Sequence, residues 1–149
     1  MTAIFREATG KDIPAILALL QDDYLGVGRE AARLEDYLAG FDAMRAESNN
    51  YAIVGLLNGD IVATYQLTFI SGISLSAARR AQIEGVRVSA SVRGHGIGEA
   101  LIADAEARAR AAGCTLLQLT MNKTRTDAQR FYERVGFTPS HIGFKRDLS

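Results

Sequence analysis

The sequence predicts an α/β protein, a mixed sheet with helices on its faces, in the order β-α-α-β-β-β-α-β-α-β. Apolar residues recur at helical spacing in several stretches, and β-rich runs lie between them. The turn Arg93-Gly94-His95-Gly96-Ile97-Gly98 joins a strand-like run, Ile83 to Val92, to a helical run, Glu99 to Ala112.

Each element has its own signal. Ala3 to Ala8 reads as a short strand. Ile13, Ile16, Leu17 and Leu20 fall at helical spacing, with Asp12 the candidate N-cap and Pro14 in the first turn. Tyr24-Leu25-Gly26-Val27-Gly28 breaks that helix. A second helix is expected from Glu30 to about Arg45, with Leu34, Tyr37, Leu38 and Phe41 inward. Tyr51 to Leu57 and Ile61 to Ile70 flank Asn58-Gly59-Asp60, a hairpin signal. Ala81 to Val88 is a third strand leading into the glycine turn. In the next helix Ile97, Leu101, Ala105 and Ala109 form one stripe, and Asp104–Arg108 and Glu106–Arg110 pair on the wet side. Gly113 ends it, and Thr115 to Met121 reads as a buried strand. The last helix starts near Thr126 with Gln129 as capping-box partner, presents Ala128, Phe131, Tyr132 and Val135, and stops at Gly136. Phe137 to Leu148 is expected to supply one or two terminal strands.

The 149 residues suit one domain spanning 1–149. Lys+Arg and Asp+Glu are both 17, which argues against a large nucleic-acid surface. One cysteine, Cys114, permits no intrachain disulfide, and with His95 and His141 it makes a poor metal set. The start MTAIFREATGKD has no secretory h-region, and no apolar run approaches the roughly 20 residues of a membrane span. A soluble cytoplasmic protein is the expectation.

The glycine turn points to chemistry. A helix start of this kind offers free backbone N–H groups and the positive end of the helix dipole, both of which attract phosphate. Glycines let the phosphate approach without a Cβ in the way. The P-loop pattern fails, because no Lys-Ser or Lys-Thr follows the glycines. The dinucleotide fingerprint G-x-G-x-x-G fails as well: its third glycine would fall on Glu99 or Leu101. What remains is R-x-x-G-x-G, at Arg93, Gly96 and Gly98.

With Val86-Arg87-Val88 before it, and Ala128-Gln129-Arg130-Phe131-Tyr132-Glu133-Arg134-Val135-Gly136-Phe137 after it, this turn resembles the GNAT superfamily of acetyl-CoA-dependent N-acetyltransferases. The resemblance covers nearly the whole chain. It implies a mixed, mostly antiparallel central sheet of six to seven strands flanked by about four helices. Two positions depart from it. Many relatives have proline at Ala90, and many have a pantetheine-contacting asparagine at Arg125, a role that Asn122 could take instead.

The resemblance implies acetyl transfer from CoA sulfur to an amine. Amines such as lysine have a pKa of roughly 10.4, so a base must take a proton. The thiolate needs an acid, and the intermediate oxyanion needs a donor. By resemblance the CoA pyrophosphate lies on Arg93, Gly94, His95, Gly96, Ile97, Gly98 and Glu99. The pantetheine pairs with Val86 and Val88 as an added strand, and the Val88 N–H serves the oxyanion. Tyr132 occupies the place of the family's acid, against the alternative of a core aromatic beside Phe131. Glu84 stands in an otherwise apolar strand, where period two puts it on one face with Val86 and Val88, and relatives use a glutamate there as a base through water. Partial burial would raise its pKa. The alternatives for Glu84 are a solvent-facing charge and an anchor for the substrate amine.

For the acceptor, the resemblance implies a site between the first two helices and the strand of Glu84, walled by Tyr24 to Glu30. Arg79-Arg80 is either a solvated loop or a contact for an anionic acceptor group. Residues from Arg125 to Tyr132, with Ser140, His141 and Phe144, resemble the branch containing aminoalkylphosphonate acetyltransferases, which implies a small-molecule amine. A protein lysine or N-terminus, a non-catalytic CoA-binding regulatory module, and an interaction domain are the rival expectations. Dimers are common in the superfamily, and the terminal strand is the expected pairing edge of a homodimer.

Overall fold

A computed structural model describes residues 2–22 and 30–149. The strands are β1 Ile4–Glu7, β2 Asn50–Leu57, β3 Asp60–Ile70, β4 Arg80–Val88 and β5 Leu116–Leu119. The helices of eight residues or more are α1 Ile13–Leu20, α2 Leu34–Ala46, α3 Ile97–Ala111 and α4 Thr126–Arg134. The five strands lie in one sheet in sequence order, antiparallel except that β4 and β5 are parallel. That is the mixed, mostly antiparallel architecture the sequence predicts, with fewer strands. Phe137 to Leu148 forms no strand, and Ile142, Phe144 and Leu148 are 83%, 92% and 91% exposed.

The hairpin follows from its turn. Asn58 and Gly59 take φ of 53° and 86°, the left-handed pair that matches the twist of two antiparallel strands. From Tyr65 to Ile70 β3 alternates with a period of two. Tyr65, Leu67 and Phe69 enter the main core with Ile53, Ile83, Leu101 and Ala105, under α3. The stripe Ile97, Leu101, Ala105 and Ala109 is buried as its spacing predicts. The other face carries Val54 beneath α1 and α2, which bury Ile13, Leu19 and Phe41.

Several local readings change. Leu34 is exposed rather than inward, because α2 begins only there, four residues after the predicted start. Asp12 does not cap α1 with its side chain. Its carboxylate accepts from Arg6 (2.7 Å) and from the Thr9 N–H (2.8 Å), which holds its pKa down to about 2. Asp104–Arg108 is not a wet-side pair. Asp104 accepts from the buried Tyr65 hydroxyl and from Arg108 Nε (2.8 Å), and Arg108 also donates to the Phe5 carbonyl (3.2 Å). β5 is a four-residue edge strand, not a fully buried one. The N-cap of α4 is Arg125, and Gln129 donates to Glu133 instead of closing a capping box at Thr126. The predicted helix break at Tyr24 to Gly28 lies outside the described residues.

Candidate active site

The site is built where β4 and β5 part. β5 pairs with β4 only from Arg80 to Ile83, so Glu84 to Val88 has no described neighbour on that edge. Opposite, β3 and β4 shift register between Thr64 and Gln66: Gln66 faces Glu84, whereas Thr64 faces Arg87. Two residues, Gly85 and Val86, therefore stand against Tyr65, a β-bulge. Gly85 has φ of 61°, open to glycine at little cost.

The bulge overturns one expectation. Glu84, Val86 and Val88 do not share a face, because the extra residue resets the alternation. Arg87 now shares the face of Glu84, and Val88, opposite Ala63, turns toward the main core. Glu84 is exposed, so the expected partial burial is absent. The backbone is oriented differently from the side chains. The Ser89 N–H donates to the Val62 carbonyl on β3 (2.7 Å). One residue earlier, the Val88 N–H must point to the opposite, open edge.

Beyond Val88 a short 3-10 turn, Ala90–Val92, leads into the glycine loop. Gly94 and Gly96 have φ of 82° and 77°, and Gly96 is the left-handed N-cap of α3. The Ala100 N–H bonds to the Gly96 carbonyl (3.1 Å), so the N–H groups of Ile97, Gly98 and Glu99 have no helical acceptor. No side chain caps them. Arg93, Gly94, His95 and Gly96 are exposed around this N-terminus, while Ile97 is buried and anchors it. The loop is thus an exposed, uncapped helix start with room for an anion.

α4 lies against this loop. A Cβ on Gly98 would stand 3.1 Å from the Phe131 ring, so a side chain there would press on the aromatic by which α4 meets the loop. Arg134 pairs with Glu99 at 2.7 Å across the same contact. Tyr132 packs edge-on against Phe131 and Phe137, with ring centroids 5.2 and 5.9 Å apart. It is both a packing aromatic and part-exposed. Burial raises the pKa of its hydroxyl, and the positive charges of Arg125 and Arg87 pull it back down.

Other predicted residues find other work. Asn122 Oδ1 accepts from the Thr124 N–H (3.0 Å) and hydroxyl (2.7 Å), which shapes the turn into α4. Arg79 donates to the Ala112 carbonyl and Ser71 and lies over Phe69, a structural anchor rather than a solvated loop residue. Cys114 is buried, and His141 is exposed, 2.7 Å from the Ser140 hydroxyl. Among the described residues no three His, Cys, Asp or Glu side chains converge as a metal set. Of the acceptor wall only Glu30 is described; its carbonyl accepts from Gln21.

The sequence reading passes over a polar stripe on the Glu84 face of the sheet. Gln66 and Thr68 donate to Asn50, and Gln118 donates to Gln82 (2.7 Å). With Glu84 opposite Gln66 and Gln82 opposite Thr68, these groups run across four strands. The signal was present as Thr64, Gln66 and Thr68 alternating with Tyr65, Leu67 and Phe69.

This fold and loop define a class of protein. The profile of the acetyltransferase (GNAT) family matches residues 13–137, and the chain belongs to that family of acyltransferases. Among individual proteins, it is 32% identical over 143 residues to the aminoalkylphosphonate N-acetyltransferase of Salmonella typhimurium, covering 96% of this chain and 90% of that one. A crystal structure named as a transcriptional regulator from Bacillus halodurans superposes with a TM-score of 0.93 at 39% identity, covering 99% and 100% of the two chains. A putative acetyltransferase from Agrobacterium tumefaciens gives 0.84 at 27% identity, covering 97% and 99%.

Proposed function

We propose that this chain is a single N-acetyltransferase domain that moves acetyl from acetyl-CoA to the primary amine of a small molecule. The observation that carries the reading is the open β4 edge beyond Ile83, which leads directly into an uncapped, glycine-lined helix start. The pyrophosphate lies on the N–H groups of Gly94 to Glu99, with the Arg93 side chain adding charge. The pantetheine runs along Val86 and Val88 as a strand would. Asn122 keeps its amide N–H groups for the arm, since only its Oδ1 is engaged in the Thr124 turn.

The amine nitrogen attacks the thioester carbonyl directly. Glu84 takes the amine proton through a water molecule, and its exposed position leaves room for one. The Val88 N–H receives the oxyanion. The carbon–sulfur bond breaks, and Tyr132 gives its proton to the departing thiolate. Burial keeps that hydroxyl protonated until the moment it is needed.

The acceptor lies over the polar stripe, its amine at Glu84. Arg87, on the same face, suits an anionic group on the acceptor, as aminoalkylphosphonates have. The chain works in the cytoplasm, where acetyl-CoA is made; no described helix is long and apolar enough to cross a membrane. An amine library, followed by thiol release from acetyl-CoA, tests the reading. Turnover on small amines is expected, highest with an anionic group. Turnover only on peptides would make it a protein acetyltransferase. A non-catalytic acyl-CoA-binding regulatory module is the second reading, favoured by the name of the Bacillus halodurans relative. Acetyl-CoA binding with no thiol release on the whole panel would establish that instead.

A further inference from the structure

The polar side of the sheet holds a chain of side-chain amides that ends beside Glu84, and a carboxylate fixes which way they point. Glu47 accepts from Asn50 Nδ2 at 2.8 Å. An ionised carboxylate can only accept, so the N–H edge of the Asn50 amide is the one that faces it. The Asn50 oxygen is thereby turned the other way, and it accepts from Gln66 Nε2 (2.9 Å) and from the Thr68 hydroxyl (3.2 Å). Gln66 thus commits its N–H edge to Asn50. Its carbonyl oxygen, Oε1, receives no donor among the described residues.

Gln66 stands directly opposite Glu84 in the β3–β4 register, at the pair that borders the bulge. Opposed residues of an antiparallel pair project to one face, with Cβ atoms about 5 Å apart. That face is the one α1 and α2 pack against; Gln66 is half-buried on it and Glu84 is exposed. An amide oxygen and a carboxylate therefore lie side by side. Both are acceptors, and no described group donates to either. Two such neighbours suit a ligand group rich in N–H bonds, which is what an amine is. Farther along the stripe Gln118 and Gln82 bond to each other at 2.7 Å, but no described carboxylate fixes their direction. Among the described amides of the stripe, only the Gln66 oxygen is held forward from behind.

We infer that Gln66 Oε1 holds one N–H of the substrate amine while Glu84 takes another proton through water, and that Asn50 and Glu47 are the positioning residues that keep this oxygen forward. The inference rests on the acetyl transfer proposed above and adds how the nitrogen is aimed. A primary ammonium group has three N–H bonds. Once one proton has passed to Glu84, two remain beside the freed lone pair. An N–H held on Gln66 fixes the rotation of the nitrogen, and with it the direction of the lone pair toward the thioester carbon. An alcohol that has given up its only proton has none left for Gln66 and sets oxygen against oxygen. The pair Gln66 and Glu84 therefore selects amines over hydroxyl groups of the same shape.

Steady-state kinetics with aminomethylphosphonate, or with the fastest amine of the library, test this. Gln66→Met keeps the side-chain length and removes the acceptor. Its KM for the amine should rise roughly tenfold, as expected for one lost hydrogen bond to a charged group, with the KM for acetyl-CoA unchanged. Asn50→Ala frees the Gln66 amide to turn and should raise the amine KM by a smaller factor. Asn50→Asp keeps an acceptor for Gln66 Nε2 and should return the amine KM to the wild-type value. An unchanged amine KM in Gln66→Met overturns the inference, even if the variant melts earlier, because a purely structural network behaves that way. Equal impairment of Asn50→Asp and Asn50→Ala overturns the positioning role of Asn50. NMR of the unmodified protein gives an independent reading: the side-chain carbonyl carbon of Gln66 should shift when the amine is added to the CoA complex, and no shift at saturating amine refutes the contact. A wild type that releases no thiol with any amine refutes the proposed reaction itself, whereas an active wild type matched by Gln66→Met refutes only this inference.

Discussion

In the proposed mechanism Tyr132 gives a proton and Glu84 takes one, and the two side chains have different surroundings. Tyr132 is enclosed by Phe131 and Phe137, and burial raises its pKa. A group with a raised pKa keeps its proton up to that higher value, so its service as an acid is full below it and is lost only as pH rises through it. The alkaline limb of kcat should therefore lie above the ordinary tyrosine value of about 10. Tyr132→Phe should cost roughly a hundredfold or more in kcat with little change in acetyl-CoA affinity, measured by calorimetry. Unchanged turnover would return Tyr132 to a packing role. Glu84 is exposed on the polar side of the sheet. Glu84→Gln should depress turnover most near neutral pH, where free amines are scarce. An identical pH–rate profile would leave Glu84 as an anchor or a solvated charge.

At the scale of elements, a bulge, a glycine loop and a helix contact arrange the site. The Gly85 bulge puts Arg87 on the Glu84 face and turns Val88 inward. Gly85→Val has space, with only Leu20 within 4.0 Å, but φ of 61° is unfavourable for a β-branched residue. The expected outcome is a folded protein, less stable by about 1–2 kcal/mol in urea, whose kcat falls roughly tenfold as Glu84 is displaced. Full activity would mean that the bulge does not set the geometry. The contact of Gly98 with Phe131, and the pair Glu99–Arg134, bring the α4 helix to the loop. Tyr132 reaches the glycine loop through packing rather than through sequence proximity.

Over the whole molecule, the site depends on a brace far from it. Tyr65 of β3 and Arg108 of α3 both donate to the Asp104 carboxylate, and Arg108 also donates to the carbonyl of Phe5 in β1. This network ties α3, and with it the glycine loop at its N-terminus, to the sheet. Burial and Asp104 together raise the pKa of Tyr65, which favours the protonated hydroxyl that donates to Asp104. Asp104→Ala would leave the buried Tyr65 hydroxyl without this acceptor and the part-buried Arg108 guanidinium with only its bond to the Phe5 carbonyl. A loss of about 2 kcal/mol is expected, seen as a fall of roughly 5 °C in the melting temperature. Tyr65→Phe should cost less, because Asp104 keeps Arg108.

Local signals settled much of this protein. The Asn58-Gly59 turn, the helical stripe of Ile97 to Ala109 and the glycines at 94, 96 and 98 act over a few residues, and each appears where its chemistry requires. The family followed from those signals in combination. The tertiary structure alone decided relations between distant residues. Gly85 stood in plain view inside a predicted strand, yet only pairing with β3 reveals the bulge that separates Glu84 from Val88. Asp104 and Arg108 read as a helix-surface pair until Tyr65, 39 residues earlier in the chain, supplies a buried hydroxyl. The terminal strands expected of Phe137 to Leu148 need a neighbour to pair with, and a strand's hydrogen bonds are never written in its own residues. Sequence specifies what each segment can do locally; which partner completes it is settled by the packing of the whole chain.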